Sequence, residues 1–308
     1  MNWLGFVAVA VILDALRIFI DNYVSDVYFK GREAVSQKWF YAFIYVIVGT
    51  VILAASGFNL NNLDWAAAGL FVFSGFLASF SGIPYYKALE IEDTTNLGIF
   101  IQLAPIFYLI LGWFFLGETF SPVQLVAFLV ILAAPLLIIA TTRKRSRKVK
   151  IRAVFYAFLY VFVAVIANVI FVKADNENFT LLNEVALLFL GKGLGNFIIM
   201  LARPKWRKRF NSIYKSSRGK VLRPLIANSA IGLVKDFAYR GALITAPAVA
   251  LASVSSDSAE PIVIFFMGLV LTLIWPKFGR EKLNRKTVLV HLIATVLVVA
   301  GIVLLQTA

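Results

Sequence analysis

Charged residues stand in the middle of long apolar stretches of this sequence. In the segment "LIANSAIGLVKDFAYRGALIT" (225–245), Lys235, Asp236 and Arg240 lie among nonpolar residues. An ionisable group at the centre of a bilayer costs about 3 kcal/mol on insertion scales, and it is kept where it pairs, binds a solute or carries protons. These three residues are therefore the first candidates for chemistry.

The spacing within this segment predicts two different environments. Asp236 and Arg240 are four residues apart and share one face of a helix, so we expect them to form an ion pair with each other. Lys235 lies on another face and has no partner within one turn of its own helix. The sequence therefore favours Lys235 as a contact for a solute.

A second group of charges lies in "ASVSSDSAEPIVIFF", where Asp257 and Glu260 are three residues apart on one helix face. Two carboxylates so close repel each other, which favours binding of a proton by one of them. Pro261 has no backbone N–H, so it leaves a carbonyl of the preceding turn free to face a cavity. The alternative is that the span begins later and the two carboxylates belong to an outer loop.

The first and fourth apolar stretches carry further candidates. Asp14, Arg17 and Asp21 form a stripe on one face of the first stretch, which we expect to face the interior as a structural ion-pair network or a ligand contact. In the fourth, Asn96 and Gln102 precede Pro105, and their amides could contact a solute or bond neighbouring helices.

Glycines favour close packing in "NEVALLFLGKGLGNF". The Gly191 and Gly195 spacing is typical of helices whose backbones approach each other. Lys192 lies between these glycines, eight residues after Glu184. These two could pair only if the helix were distorted.

Composition sets the class of protein that must position these residues. Of 308 residues, 61% are hydrophobic and 15% are charged, with a mean hydropathy of +0.85, whereas soluble domains are near half apolar and a quarter charged. The chain is therefore predicted to be an all-α polytopic membrane protein. It has no cysteine, and His291 is its one histidine, which excludes thiolate metal sites and multi-histidine centres; no cofactor is expected.

Ten stretches are long and apolar enough to be spans, since a span needs about 20 residues. The first is predicted to be a retained helix rather than a signal peptide, because no basic segment precedes it. The predicted spans are 3–28, 39–56, 65–86, 95–116, 122–141, 153–173, 180–202, 225–245, 248–275 and 287–306.

The net charge of +14 is concentrated in short loops after the first, fifth, seventh and ninth spans, which is a topology signal rather than a nucleic-acid surface. It predicts a multi-pass protein of the cell (inner or plasma) membrane with these loops in the cytoplasm and both termini outside. The loop "RPKWRKRFNSIYKSSRGKVLR" is expected to lie on the anionic lipid surface.

The chain divides into two halves, residues 1–142 and 153–308, joined by the basic linker 143–152. Five spans in each half imply that homologous halves insert in opposite directions, as inverted repeats do. The halves share landmarks at similar places: a proline (Pro105, Pro261) and a glutamate after the helix (Glu118, Glu281).

The segment "LAPIFYLILGWFFLGETFSPVQLVAFLVILAAPLLII" resembles the end of an EamA repeat of the drug/metabolite transporter superfamily. The second half departs from this pattern, because "WPKFGREKLNRK" replaces Gly-Glu with Arg280-Glu281. The resemblance implies ten helices in two inverted five-helix repeats, a central cavity and alternating access. Ten-helix members are usually placed with both termini in the cytoplasm, the reverse of what the loop charges predict here.

The leading hypothesis is a secondary active transporter of small polar metabolites, amino-acid-like or cationic, of exporter type and with proton coupling through Asp257 or Glu260. A second reading is a transporter of anionic or phosphorylated metabolites that uses Lys235 and Arg240; a third is a lipid-handling, flippase-like protein. An enzyme is disfavoured by the single histidine and the absence of cysteine. The expected partners are the bilayer, a small solute and protons, with a homodimer as an open alternative and no nucleic acid.

Overall fold

The fold is a helical bundle, seen in a computed structural model that describes residues 2–29, 34–56, 64–89, 91, 103–142, 150–274 and 285–306. Those ranges contain no β-strand. Their α-helices, in chain order, are α1 (Trp3–Val24), α2 (Lys38–Ala55), α3 (Trp65–Leu89), α4 (Ala104–Leu111), α5 (Pro122–Thr142), α6 (Ile151–Ala174), α7 (Leu181–Ala202), α8 (Pro204–Ser216), α9 (Leu222–Thr245), α10 (Val249–Ile274) and α11 (Arg285–Gln306).

Eight of the described helices are long and apolar enough to cross a bilayer. The predicted span 225–245 corresponds to α9, whose 24 residues suffice in length but include Arg223, Lys235, Asp236 and Arg240. The predicted span 95–116 is described only as a short apolar helix, Ala104–Leu116, whose last turn is π-helical. A multi-pass helical membrane fold is therefore supported, while the count of ten remains a prediction.

The helices of the two halves contact each other in a reciprocal way. The first helix of the predicted first half, α1, packs on α9 and α10, which correspond to the third and fourth predicted spans of the second half. Likewise α6, the first helix of the second half, packs on α3 and α4. The second spans, α2 and α7, pack on each other, as do the last ones, α5 and α11.

The interface between α3 and α7 depends on glycine. A Cβ atom on Gly75 would overlap the carbonyl oxygen of Leu188, and one on Gly191 would overlap that of Val72. The backbones therefore meet without side chains between them. The close packing predicted from the Gly191 and Gly195 spacing is confirmed.

The bundle has two distinguishable ends. We call the end that carries the lysine- and arginine-rich helix α8 the basic end. There the C-termini of α1 and α3 meet the N-termini of α2 and α9, as the hydrogen bonds from Asn228 to Asp21 (2.7 Å) and from Gln37 to Tyr86 (2.6 Å) demonstrate. At the opposite end, the start of α3 meets the connection after α6, where Asn176 donates to Asp64 (3.3 Å).

The loop predicted to lie on the lipid surface contains the helix α8. Phe210 and Ile213 are buried against Val24 and Phe29 at the end of α1. The lysines of α8, among them Lys205 and Lys208, are exposed. The helix is therefore amphipathic and covers the basic end of α1.

Candidate functional site

A polar cavity of about 390 Å³ lies inside the bundle. On α1, α2 and α3 its lining residues belong to the half of each helix nearest the basic end, for example Asp21, Lys38 and Tyr86. On α6 and α10 they lie near the middle, for example Asn168 and Asp257. The cavity therefore reaches from the centre of the bundle towards the basic end.

Aromatic packing fills the bundle at the opposite end. Phe71, Phe171 and Phe179 are buried, and the centroid of the Phe71 ring lies 5.2 Å from that of Phe171 and 5.3 Å from that of Phe179. These rings join α3, α6 and the connection before α7. No cavity-lining residue of α3 lies in this part of the helix.

The structure brings most of the candidate residues together around this cavity. Both halves of the chain contribute, which the sequence could state only as an expectation. The lining residues among the candidates are Asp14, Arg17, Lys235, Asp236, Arg240, Asp257 and Glu260. Asn96, Gln102 and Glu281 lie outside the described residues.

The expected ion pair between Asp236 and Arg240 is wrong. Asp236 instead forms a buried ion pair with Lys192 of α7. The guanidinium of Arg240 lies over the ring of Phe171 on α6, 4.7 Å from its centroid. Tertiary packing decides the partner, because α7 presents an ammonium group to Asp236 while Arg240 turns towards α6. The pairing of Lys192 with Glu184, which required a distorted helix, is also wrong.

Lys235 is not without a partner either. Its ammonium group lies 3.0 Å from a carboxylate oxygen of Asp14 on α1. Single-helix reasoning missed this pair because it considered only neighbours on the same helix. The function assigned to Lys235 from its isolation therefore loses its basis.

The charge stripe of α1 is paired, as its spacing predicted. Arg17 lies 3.8 Å from Asp14 and 3.7 Å from Asp21. Asp21 also accepts a hydrogen bond from Asn228 of α9, which donates to Tyr41 of α2 as well (2.8 Å). These contacts join α1, α2 and α9 at the basic end of the cavity.

The carboxylates of α10 belong to a helix and not to an outer loop. The helix begins at Val249 and runs through Pro261, so the alternative of a later start is wrong. Asp257 accepts a hydrogen bond from the hydroxyl of Ser253 (2.9 Å). Pro261 has no backbone N–H, so it donates no hydrogen bond to the preceding turn of α10.

The landmark prolines of the two halves fall at different places in their helices, Pro105 in the first turn of α4 and Pro261 inside α10. Pro105 lies in the first turn of α4, where the missing N–H removes no helical hydrogen bond. Glu118 follows the left-handed Gly117 (φ +70°) and accepts a hydrogen bond from the backbone N–H of Val249 (2.6 Å), which caps α10. Burial raises the pKa of the Glu118 carboxyl, while the backbone hydrogen bonds from Val249 and Ala250 oppose that shift.

Sequence reasoning missed several residues of the cavity wall. Lys38 lies just outside the predicted span 39–56, yet it is buried and donates to the carbonyl of Ser79 (2.7 Å) and to Asn196 (3.3 Å). Asn168 donates to the hydroxyl of Tyr108, which lies 3.3 Å from that of Tyr239. Asn168 stands alone as an amide in an apolar helix, and that was the signal available for it.

The described residues contain no cluster of three or more histidine, cysteine or acidic side chains that could hold a metal ion. The described wall of the cavity instead combines cations, carboxylates and tyrosine hydroxyls. Such a wall can bind a small polar or charged solute, and its carboxylates can accept protons.

Comparison with known proteins adds the family. Residues 3–140 match the model of the EamA-like transporter family. This part of the chain is therefore similar to a family that lies within the drug/metabolite transporter superfamily. The EamA match ends at the end of α5, so it covers the first half as the sequence divides it.

A solved structure extends the likeness to the whole chain. It covers 97% of this chain and 96% of its own, with a TM-score of 0.61 and 15% sequence identity, and so it shares the fold. No curated protein matches the sequence.

Proposed function

We propose that this protein is a secondary active transporter of small polar metabolites. The observation that carries the proposal is the polar cavity in a bundle of apolar helices, lined by charged residues from both halves of the chain. Ionisable groups in membrane-embedded helices mark solute and ion pathways unless they are only paired. The EamA-like match of residues 3–140 supports transport rather than catalysis.

The two halves are proposed to be inverted five-span repeats, residues 1–142 and 153–308. Reciprocal contacts support this: α1 packs on the third and fourth spans of the other half, and so does α6. Exchanging the halves leaves the scheme of these contacts unchanged, as expected for repeats related by a two-fold axis in the membrane plane.

The proposed direction of transport is export. The basic end carries α8 and its exposed lysines, and basic loops face the cytoplasm. The cavity extends towards that end, so a solute would enter from the cytoplasm, and both termini would lie outside. A reporter fused at residue 146 should then be cytoplasmic and one at the C-terminus external; the reverse result would exclude this orientation.

Proton coupling is proposed through Asp257 and Glu260. They are three residues apart on α10 and line the cavity together, so their ionised forms repel each other. A proton bound by one of them would relieve this repulsion, and release of the proton at the other side would change the charge of the pathway.

Transport by the purified protein in proteoliposomes tests these proposals. Radiolabelled amino acids, diamines and sugar phosphates would be supplied with and without an imposed pH gradient. We expect gradient-dependent transport of an amino acid or a diamine, which Asp257→Asn and Glu260→Gln make insensitive to the gradient. The control is Glu177→Gln, at an exposed position outside the cavity.

Two outcomes would contradict the proposals separately. Folded protein that moves none of these solutes would exclude the transport function for this panel. Transport that keeps its wild-type pH dependence in both carboxylate variants would exclude coupling through α10.

A further inference from the structure

Among the described residues, the cavity wall contains as many cations as carboxylates. Pairing accounts for much of this charge, since Lys235 pairs with Asp14, Lys192 with Asp236, and Arg17 with Asp14 and Asp21. The cations of the wall are Arg17, Lys38, Lys192, Lys235 and Arg240, and the acids are Asp14, Asp21, Asp236, Asp257 and Glu260.

Two of these cations, Lys38 and Arg240, have no carboxylate within ion-pair distance among the described residues. Lys38 nevertheless has its hydrogen bonds satisfied by Ser79 and Asn196. The guanidinium of Arg240 donates no hydrogen bond to any described residue, and its Nε and Nη1 atoms are buried without a partner. Arg240 therefore differs from every other cation of the wall.

No described carboxylate lies within ion-pair distance of Arg240, and the nearby Asp236 is already paired with Lys192. Arg240 is only 4% exposed, and its guanidinium lies over the face of the Phe171 ring, 4.7 Å from the ring centroid. An aromatic face offers a cation less than a carboxylate does, and it accepts no in-plane hydrogen bond. The guanidinium cannot lose its proton in a protein, so it must be compensated by an anion or bear the full cost of its burial.

The position of Arg240 gives such an anion a place to bind. It lines the cavity with Tyr239 on the same helix and with the linked pair Asn168 and Tyr108. A planar guanidinium matches the two oxygens of a carboxylate through parallel hydrogen bonds. One negative charge balances one arginine, whereas a dianion would add repulsion from the acids of the same wall, among them Asp257 and Glu260.

We propose that Arg240 is the binding site for a carboxylate group of the transported solute. This inference rests on the proposed transport function and names part of its substrate class: solutes that carry a monoanionic carboxylate. Tyr108 and Tyr239 are the neighbouring hydroxyls available to the bound group. The role given earlier to Lys235 passes to Arg240, because Lys235 already has Asp14.

Ligand binding to the purified protein in detergent tests the site without requiring transport. Thermal unfolding would be followed at constant ionic strength with two matched pairs of probes, glycine against glycinamide and acetate against acetamide. Sodium chloride and methyl phosphate complete the panel. We expect glycine or acetate to raise the midpoint of unfolding and their amides to leave it unchanged.

The substitution Arg240→Gln should weaken carboxylate binding by about 10- to 100-fold, the effect of losing a charge-assisted hydrogen bond. Arg240→Lys keeps the charge but not the planar fork, so it should bind carboxylates more weakly than the wild type and more tightly than Arg240→Gln. The matched control is Arg223→Gln, an exposed arginine of the same helix that does not line the cavity. It should retain wild-type affinity.

The stability of the ligand-free protein separates binding from structure. Because Arg240 has no anionic partner among the described residues, Arg240→Gln should be no less stable than the wild type without ligand. A large loss of stability without any change in the response to carboxylates would make Arg240 a structural residue and overturn the proposal. If Arg240→Gln fails to fold, the Arg240→Lys affinity decides: wild-type carboxylate affinity in that variant would overturn it too.

The anion panel decides the remaining alternatives. Stabilisation by chloride equal to that by carboxylates would mean an inorganic counter-ion, and preference for methyl phosphate would mean a phosphorylated solute; either overturns the carboxylate assignment. Carboxylate binding that Arg240→Gln abolishes, in a protein that transports nothing, would refute the transport function and leave the site intact. Transport with carboxylate binding unchanged in Arg240→Gln would refute the site alone.

Discussion

In the proposed inverted repeats the helices α3 and α9 occupy equivalent places, yet they differ in residue type. Across Trp65–Leu89, α3 carries a single charged residue, Lys87, in its last turn. In α9, Lys235, Asp236 and Arg240 lie within the helix. Because the proposed repeat makes the two helices equivalent, residues found in α9 and not in α3 serve the site rather than the shared position.

Their neighbours explain the difference. α3 packs along α7 through Gly75 and Gly191, and the hydroxyl of Ser74 donates to the carbonyl of Ala167 on α6 (2.6 Å). α9 packs along α1 through Lys235 and Asp14 and touches α2 only locally. Close backbone contact joins α3 to α7, while charged pairs join α9 to α1 and α7 beside the cavity.

The largest expected effect concerns the buried ion pair of α9. Asp236→Asn leaves Lys192 buried without an anion, so we expect the free energy of unfolding to fall by about 3 kcal/mol. The double variant Lys192→Gln with Asp236→Asn removes both charges and should recover much of this loss. Chemical denaturation of the purified proteins measures both.

The matched change on α3 is Ser74→Ala, which removes one hydrogen bond and should cost about 1 kcal/mol. If Asp236→Asn cost no more than Ser74→Ala, the pair would not hold α9 in place. That result would contradict the view that α9, unlike α3, is stabilised mainly by a buried ion pair.

The second test makes the same substitution on both helices. Gly75→Ala forces a Cβ against the backbone of Leu188, and such overpacking costs about 2 kcal/mol. A Cβ on Gly232 of α9 would lie 3.6 Å from the side chain of Arg17, which is ordinary contact. Gly232→Ala should therefore leave the unfolding midpoint unchanged or raise it slightly, since alanine favours helix. Equal losses in both variants would contradict the contrast between the close backbone contact of α3 and the looser contact of α9 at Gly232.

The sequence predicted the charged helix but not its partners. The lengths of the apolar stretches predicted the helices, because a bilayer sets the length of a span. The glycine spacing predicted close packing, because helix backbones approach each other only where the residues are small. Lys235, Asp236 and Arg240 were recognised by the cost of charge among apolar residues. Those features are local, so a single sequence contains them.

The pairing could not be predicted because it depends on which helices meet. Asp236 had a suitable arginine four residues away, but α7 brings Lys192 to it instead. Lys235 finds Asp14 more than two hundred residues earlier in the chain. The burial of Lys38 could not be predicted for a related reason. It lies at the start of α2, next to a basic loop, and its partners Ser79 and Asn196 belong to other helices. Contacts between helices determine the partners of these three residues, and the spacing of residues along one helix does not predict such contacts.

The third test concerns α10, which carries the carboxylates beside α9. Glu118 caps this helix through the N–H of Val249, so Glu118→Ala should lower the free energy of unfolding by about 1 kcal/mol. Glu118→Gln keeps an oxygen acceptor and should lose less. Thermal unfolding compares the two variants with the wild type, and equal stability of all three would exclude the cap.

The pH dependence of stability gives Glu118 a second readout. Burial raises the pKa of its carboxyl in the folded protein above the unfolded value, so the folded state binds this proton more tightly. The contribution of Glu118 to stability is then complete at low pH and declines as pH rises through the raised pKa. Glu118→Gln should lack this decline, and an identical pH profile in the variant would contradict it.

The smallest expected effects compare one tyrosine hydroxyl on each helix. Tyr86 of α3 accepts a hydrogen bond from the buried amide of Gln37 (2.6 Å), so Tyr86→Phe leaves that N–H unsatisfied and should cost about 1 kcal/mol. The hydroxyl of Tyr239 on α9 makes only a 3.3 Å contact with that of Tyr108, and Tyr239→Phe should cost about 0.5 kcal/mol. Glycine binding should respond in the opposite order, weakening more in Tyr239→Phe because this hydroxyl neighbours Arg240. If Tyr86→Phe weakened glycine binding more, the solute would lie nearer α3, and α9 would lose its place as the binding helix.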